Sequence, residues 1–181
     1  MKITTKGGDK GKTDLFGGGR ADKDDERIEL NGELDELNAW LGYCKVAVGE
    51  QEPYETLQHE LMDMMTMVAS LGTKTRGQDM IIHYEQLSKK FLERVDRMEQ
   101  HITQATEGRR FDFVMPGKNQ ADAAIHLVRA KVRTCERRFV RLHKTMTERQ
   151  EISKEQYAAY DVMGIYLNRL SDYLFCLSIE R

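Results

Sequence analysis

The chain has 181 residues, 40% of them hydrophobic, which is enough apolar material for one core of ordinary domain size. Its 28 Lys and Arg stand against 30 Asp and Glu, and the resulting net charge of -2 excludes a general nucleic-acid coat built on bulk positive charge. The longest uncharged stretch, Met64 to Thr73, falls well short of the roughly 18 to 20 apolar residues of a membrane span, and the opening MKITTKGGDKGKTD has no apolar signal run, so a soluble cytoplasmic protein is expected.

Residues 1–25 carry six of the fourteen glycines and almost no apolar side chains. Such a segment cannot build a core of its own and must either dock on the rest of the chain or stay loose. The run Gly7-Gly-Asp-Lys-Gly-Lys-Thr13 offers backbone N–H groups, Lys10, Lys12 and the Thr13 hydroxyl, a donor set suited to a polyphosphate. A Walker loop is excluded. It requires four residues between its first glycine and the Gly-Lys-Thr, whereas only Gly8, Asp9 and Lys10 separate Gly7 from Gly11, and no apolar strand precedes them. The composition otherwise fits a solvated terminus as well as an anion cradle. Gly17-Gly-Gly-Arg20 and Lys23 supply further donors and another cation.

Only Pro53 and Pro116 interrupt the chain, and helical spacing runs on either side of each. From about Asp25, Leu30, Leu34, Leu37, Leu41 and Val48 form one stripe of a first helix. Pro53 suits the first turn of a second, in which Leu57, Leu61, Met64, Met65 and Val68 repeat the pattern until Gly72. Residues 72–83 read as a loop. A third helix carries Leu87, Phe91, Val95, Met98 and Ile102 and ends near Gly108. After Phe113-Val-Met-Pro-Gly117, a fourth runs from about Asn119 to His143 on Ile125, Val128, Val132, Cys135, Phe139 and Leu142. A fifth spans roughly Ser153 to Ile179 on Tyr160, Met163, Leu167, Leu170, Leu174 and Leu177. Each stripe needs a partner, so the pattern predicts an all-α, five-helix antiparallel bundle over 26–181, with 1–25 as a glycine-rich segment of the same domain. Cys44, Cys135 and Cys176 cannot all pair, and they read as small core residues in a reducing compartment.

Helices four and five carry polar residues along their apolar stripes. At 100° per residue Arg129 and Glu136 share nearly one line of helix four, with Arg133 and Arg137 further round. Guanidinium forks match phosphate oxygens and stay charged, which suits a triphosphate; the same spacing also suits solvated surface pairs worth a few tenths of a kcal/mol. On helix five, Asn168 and Asp172 are four apart and fit either a ribose or base edge, or the capping of a bundle end. The five histidines His59, His83, His101, His126 and His143 show no ligand spacing, so no protein-bound metal is assigned.

In order along the chain, KGGDKGKT at 6–13, LFGGGR at 15–20, NGELDELN at 31–38, FVMPG at 113–117, RAKVRTCER at 129–137 and LNRLSDYLF at 167–175 resemble the signatures of PduO-type ATP:corrinoid adenosyltransferases. The resemblance implies a homotrimer with ATP between neighbouring subunits, and a reaction in which cob(I)alamin attacks the 5′ carbon of ATP to give adenosylcobalamin and triphosphate. It implies that Gly8, Asp9, Lys10, Gly11 and Thr13 wrap the triphosphate, with Lys23 as a further cation. Arg133 and Arg137, with Mg2+ held mainly by phosphates and water, would offset the leaving-group charge. Glu136 and Asn168, with Asp172 nearby, would serve the nucleoside or its metal. Asp35 would pair with Arg129 across subunits, and Phe113 would occupy the lower face of the corrin. A corrinoid reductase and a B12-dependent acceptor enzyme are the partners such chemistry implies. The other reading of the same motifs is an impaired relative that binds or delivers nucleotide or corrinoid. Three positions depart from the family pattern: Gly7 for a threonine, Lys118 for a second glycine, and Thr134 for a second consecutive arginine.

Overall fold

A computed structural model describes residues 8–14, 20–71, 78–111, 114–152 and 154–181, without the side chains of 78–82 and 155. Among these residues a short antiparallel hairpin, β1 (Lys12–Asp14) and β2 (Arg20–Asp22), precedes five helices. They are α1 (Glu26–Val48), α2 (Tyr54–Ser70), α3 (Gln78–Thr106), α4 (Gln120–Glu148) and α5 (Lys154–Ile179).

The start of α1 is set by Asp25, whose extended backbone and carboxylate cap the Arg27 N–H. The same carboxylate takes the Arg27 Nε and Nη2 at 2.9 and 2.7 Å, and Arg27 Nη1 donates to the Leu71 carbonyl at 2.8 Å, tying the start of α1 to the end of α2. Gly49 ends α1 in the left-handed conformation, φ 79°, where a Cβ would be strained. At the head of α4, the Asn119 side chain accepts from the Asp122 N–H at 2.8 Å.

The expected stripes form the core. Leu30, Leu34, Leu37 and Leu41 of α1 are buried against Ile125, Val128, Val132, Cys135 and Phe139 of α4, and Tyr160, Met163, Leu167, Leu170 and Leu174 of α5 complete the same cluster. Cys44, Cys135 and Cys176 are free and buried, as their placement on the stripes implies. Successive helices alternate in direction. Ion pairs Arg141–Glu26, Arg138–Glu29 and Lys131–Glu36 set α1 and α4 antiparallel, while Tyr84–Gln156 and Glu99–Arg169 show α3 and α5 side by side and parallel, as two odd-numbered helices of an up-and-down bundle must be.

Three boundaries differ from the sequence pattern. Helix α3 begins at Gln78, so 78–83 is helical rather than loop; buried Tyr84, with its hydroxyl 2.6 Å from Ser70 Oγ, starts the stripe a turn before Leu87. Helix α4 runs past His143 to Glu148 because Met146 continues the buried row. The glycine-rich segment contains a hairpin that no apolar alternation announced, held by Lys12–Asp22 at 2.8 Å and Arg20–Asp14 at 3.3 Å. Among the described residues no helix is long and apolar enough to cross a membrane.

Candidate active site

Antiparallel packing of α4 on α5 brings two of the polar clusters together. Asn168 Nδ2 donates to Glu136 Oε1 at 3.0 Å, Arg169 Nη1 donates to Asn168 Oδ1 at 2.8 Å, and Arg169 Nε donates to Glu99 Oε1 at 2.5 Å. This chain of bonds fixes the Asn168 amide with its oxygen toward Arg169 and its nitrogen toward Glu136. Arg137 Nη2 donates to Thr134 Oγ1 at 3.0 Å. Arg133 is exposed and makes no hydrogen bond or ion pair among the described residues, so its guanidinium is available to a ligand. Asp172 is exposed on α5, at the α5 level that packs between the Glu136–Asn168 and Arg129–Phe175 contacts.

Arg129 sits at the other end of this edge. Its guanidinium lies 5.9 Å from the Phe175 ring centre, and its Nε donates to His126 Nδ1 at 3.4 Å. Asp35, exposed on α1, is not among its partners within one chain. Phe113 lies outside the described residues, but both flanks of its segment are placed. Phe111 packs edge-on against Phe175 at 5.7 Å, and the Gly117 and Lys118 N–H groups donate to Asp122 Oδ2 at 2.6 and 3.1 Å. Burial pushes the Asp122 carboxyl up, but the bonds from Gly117 and Lys118 outweigh it and hold the group below the usual carboxylate range. His126 is pushed below the ordinary imidazole range chiefly by burial, against the pull of Asp122 and helped by Arg129; a neutral ring can accept the Arg129 N–H.

The turn at Gly8–Gly11 and Lys23 form the third cluster. Gly11, at φ 73°, donates to the Gly8 carbonyl at 3.2 Å, and the Lys23 N–H donates to the Gly11 carbonyl at 2.8 Å. A Cβ added to Gly8 would stand 3.2 Å from Lys23 Nζ, which places the amine over the turn. Asp9, Lys10 and Lys12 line this turn and Thr13 lies in β1. The bonds that shape it run within the hairpin and to Asp25, and Gly7 falls outside the described residues. Among the described residues no three His, Cys, Asp or Glu cluster in a way that would hold a metal ion. A cavity of about 430 Å³ on α3 is lined by Asp96, Glu99, Gln100, Thr103 and Gln104, and its two carboxylates would repel a polyphosphate. The sequence-predicted residues Arg129, Arg133, Glu136, Arg137, Asn168 and Asp172 gather instead along the open α4–α5 edge.

Residues 3–180 match the family model described as cobalamin adenosyltransferase. The chain belongs to that family. A corrinoid adenosyltransferase of Citrobacter freundii is 36% identical over 98% of this chain and 93% of its own length. One from Bacillus subtilis is 36% identical over 97% and 83%. Among solved structures, a variant PduO-type ATP:corrinoid adenosyltransferase from Lactobacillus reuteri complexed with cobalamin and ATP superposes with a TM-score of 0.71 at 26% identity, over 98% of this chain and 91% of that one. A second variant, complexed with ATP, gives 0.73 at 29%, over 98% and 92%. Sequence reasoning had named the arginine edge and the Asn168–Glu136 pair. It missed Asp122, His126 and Arg169, although Asn119-x-x-Asp122 has capping-box spacing that was there to be read.

Proposed function

We propose that this member of the family transfers the 5′-deoxyadenosyl group of ATP to the cobalt of a reduced corrinoid. The cobalt(I) electron pair forms the Co–C5′ bond, the C5′–O bond breaks, and its electrons leave on triphosphate. Cobalt is the nucleophile, so no side chain acts as a general base. The observation that carries the reading is the α4–α5 edge of a cobalamin adenosyltransferase chain: an exposed Arg133, unbonded among the described residues, beside a Glu136–Asn168 pair locked by Arg169.

Arg133 and Arg137 offset charge developing on the leaving group, and the Gly8, Asp9, Lys10, Gly11 and Thr13 turn with Lys23 wraps the phosphates. Glu136, Asn168 and Asp172 address the nucleoside end. Mg2+ fits only as an ion held chiefly by phosphate and water, with Glu136, Asp172 or Asp9 as single carboxylates at hand, since no denser donor set exists among the described residues. When bound it neutralises phosphate charge. Phe113 serves the lower face of the corrin, emptying an axial position so that cobalt(II) accepts an electron more readily. Arg129 pairs with Asp35 of a neighbouring subunit in a homotrimer; Asp35 is exposed on α1 and Arg129 partly exposed on α4, so both can be reached from outside the chain. The chain works in the cytoplasm, supplied by a corrinoid reductase and serving a B12-dependent acceptor enzyme.

The experiment is an anaerobic mixture of protein, ATP, Mg2+ and chemically reduced cobalamin. Loss of the cob(I) spectrum with stoichiometric triphosphate is the expected result. Nucleotide binding without triphosphate release would favour a delivery protein and overturn the transferase reading.

A further inference from the structure

Asp122 occupies the third position of α4, and its N–H is capped by Asn119. In an ordinary capping box that side chain would reach back to the N–H of the capping residue itself. Here it reaches further, to the N–H groups of Gly117 and Lys118, so its carboxylate closes the segment before the helix rather than the helix. Gly117 stands at φ 105°, a conformation that other residues rarely adopt, so this turn is held in a definite shape.

Asp122 is fully buried and His126, one turn on, nearly so. Asp122 Oδ1 and His126 Nε2 face each other at 3.6 Å, just beyond hydrogen-bond reach, and neither atom has a hydrogen-bond partner among the described residues. His126 spends its other nitrogen on the Nε of Arg129. Arg129 in turn lies over Phe175, against which Phe111 packs. Residues 111 and 117, the two flanks of the segment that carries Phe113, are thus both tied back to the Arg129 guanidinium, one through aromatic rings and one through Asp122 and His126. Burying a carboxylate and an imidazole costs stability, and helix capping alone needs neither.

Resting on the transferase reading above, we propose that Asp122 and His126 are positioning residues that clamp the 114–118 turn to Arg129 and thereby govern how the chain handles the corrinoid. Neither touches substrate. Their loss moves corrinoid handling and leaves nucleotide handling alone.

The test uses the full-length protein with Asp122→Ala, Asp122→Asn, His126→Leu and His126→Gln. Asn keeps an oxygen for the Gly117 and Lys118 N–H groups, and Gln keeps an acceptor for Arg129. With ATP bound, the fraction of cob(II)alamin converted to the four-coordinate form is read by electron paramagnetic resonance, and KM is measured separately for corrinoid and ATP. Asp122→Ala and His126→Leu are expected to lower the four-coordinate fraction and raise corrinoid KM at least tenfold, with ATP KM within twofold; Asn and Gln restore most of both. Wild-type corrinoid KM and four-coordinate fraction in the alanine and leucine variants would overturn the proposal, as would equal losses toward ATP. Amide hydrogen exchange separates this from the broader reading. Faster exchange at Gly117 and Lys118 in Asp122→Ala is expected whether or not the wild type turns over, and unchanged exchange would sink the clamp even in an active enzyme.

Discussion

Replacing Arg133 by alanine isolates the leaving-group role. The guanidinium is exposed and bonded to nothing among the described residues, so its removal breaks no hydrogen bond or ion pair within them. Ala and Arg are both good helix formers, and an exposed substitution of this kind changes stability by about 0.5 kcal/mol or less, roughly 2 °C in Tm for a domain of this size. In the proposed role, the lost group is a charged fork that meets triphosphate oxygens in the transition state. Deleting one pre-placed donor of this type costs about a hundredfold or more in rate, ~2.7 kcal/mol upward. Lysine keeps the charge without the fork and should recover only part of the loss. The assay is anaerobic cob(I)alamin turnover with triphosphate quantified, beside thermal melts of the three proteins. An alanine variant within threefold of wild type in kcat/KM would refute the assigned role. A Tm lower by 5 °C or more would show instead that Arg133 holds the bundle together.

Three further outcomes are expected. Thr134→Arg places a second arginine beside Arg133 and removes the hydroxyl that now accepts from Arg137; if the position belongs to the phosphate site, ATP affinity or turnover rises about tenfold, ~1.4 kcal/mol, and unchanged kinetics would assign it to packing alone. Asp25 is held below its ordinary 3.8 chiefly by its bonds to Arg27, against the opposing effect of burial, so its contribution to stability is present above about pH 3.8 and lost as pH falls through the lower folded value. Urea midpoints between pH 6 and pH 2 should therefore fall further for wild type than for Asp25→Asn, and parallel curves would contradict this. Burial pushes the Cys44 thiol up to about 11 and Cys135 up to about 12, and raises Cys176 as well, so at pH 8 an aromatic disulfide reagent should find no rapidly reacting thiol in the native protein and three after urea unfolding.

The bundle was legible because its information is periodic. Leu30, Leu34, Leu37 and Leu41 or Val128, Val132, Cys135 and Phe139 announce a buried face in any context, and these are the residues that interlock. Helix ends were less legible, since whether Met146 is buried depends on what stands opposite it. At the site, Arg129, Arg133 and Arg137 could be placed on one edge by spacing alone, but the partner of each polar group could not. That Glu136 meets Asn168, or that Arg169 reaches back to Glu99 on α3, follows from the register of α4, α5 and α3, which no local pattern encodes. Asp122 was legible only as a capping-box residue three after Asn119: an acidic side chain in a first helical turn is so ordinary a sight that nothing in the sequence marks its two upstream bonds.

Arg129 joins these levels. A guanidinium has five N–H donors, and within one chain this one spends its Nε on His126 while its flat face rests on Phe175. The two terminal nitrogens carry no bond among the described residues, and they are the pair with the geometry to grip a carboxylate. Holding a guanidinium by its inner nitrogen leaves its fork pointing outward at a fixed angle, which a flexible surface arginine would not do. An intersubunit bridge to Asp35 would then cost little side-chain entropy, because the side chain is already ordered on the chain that carries it. The corrinoid segment, clamped to the same residue, would feel the arrival of the neighbouring subunit directly. Under the two proposals, subunit assembly and corrinoid handling would share one part, Arg129.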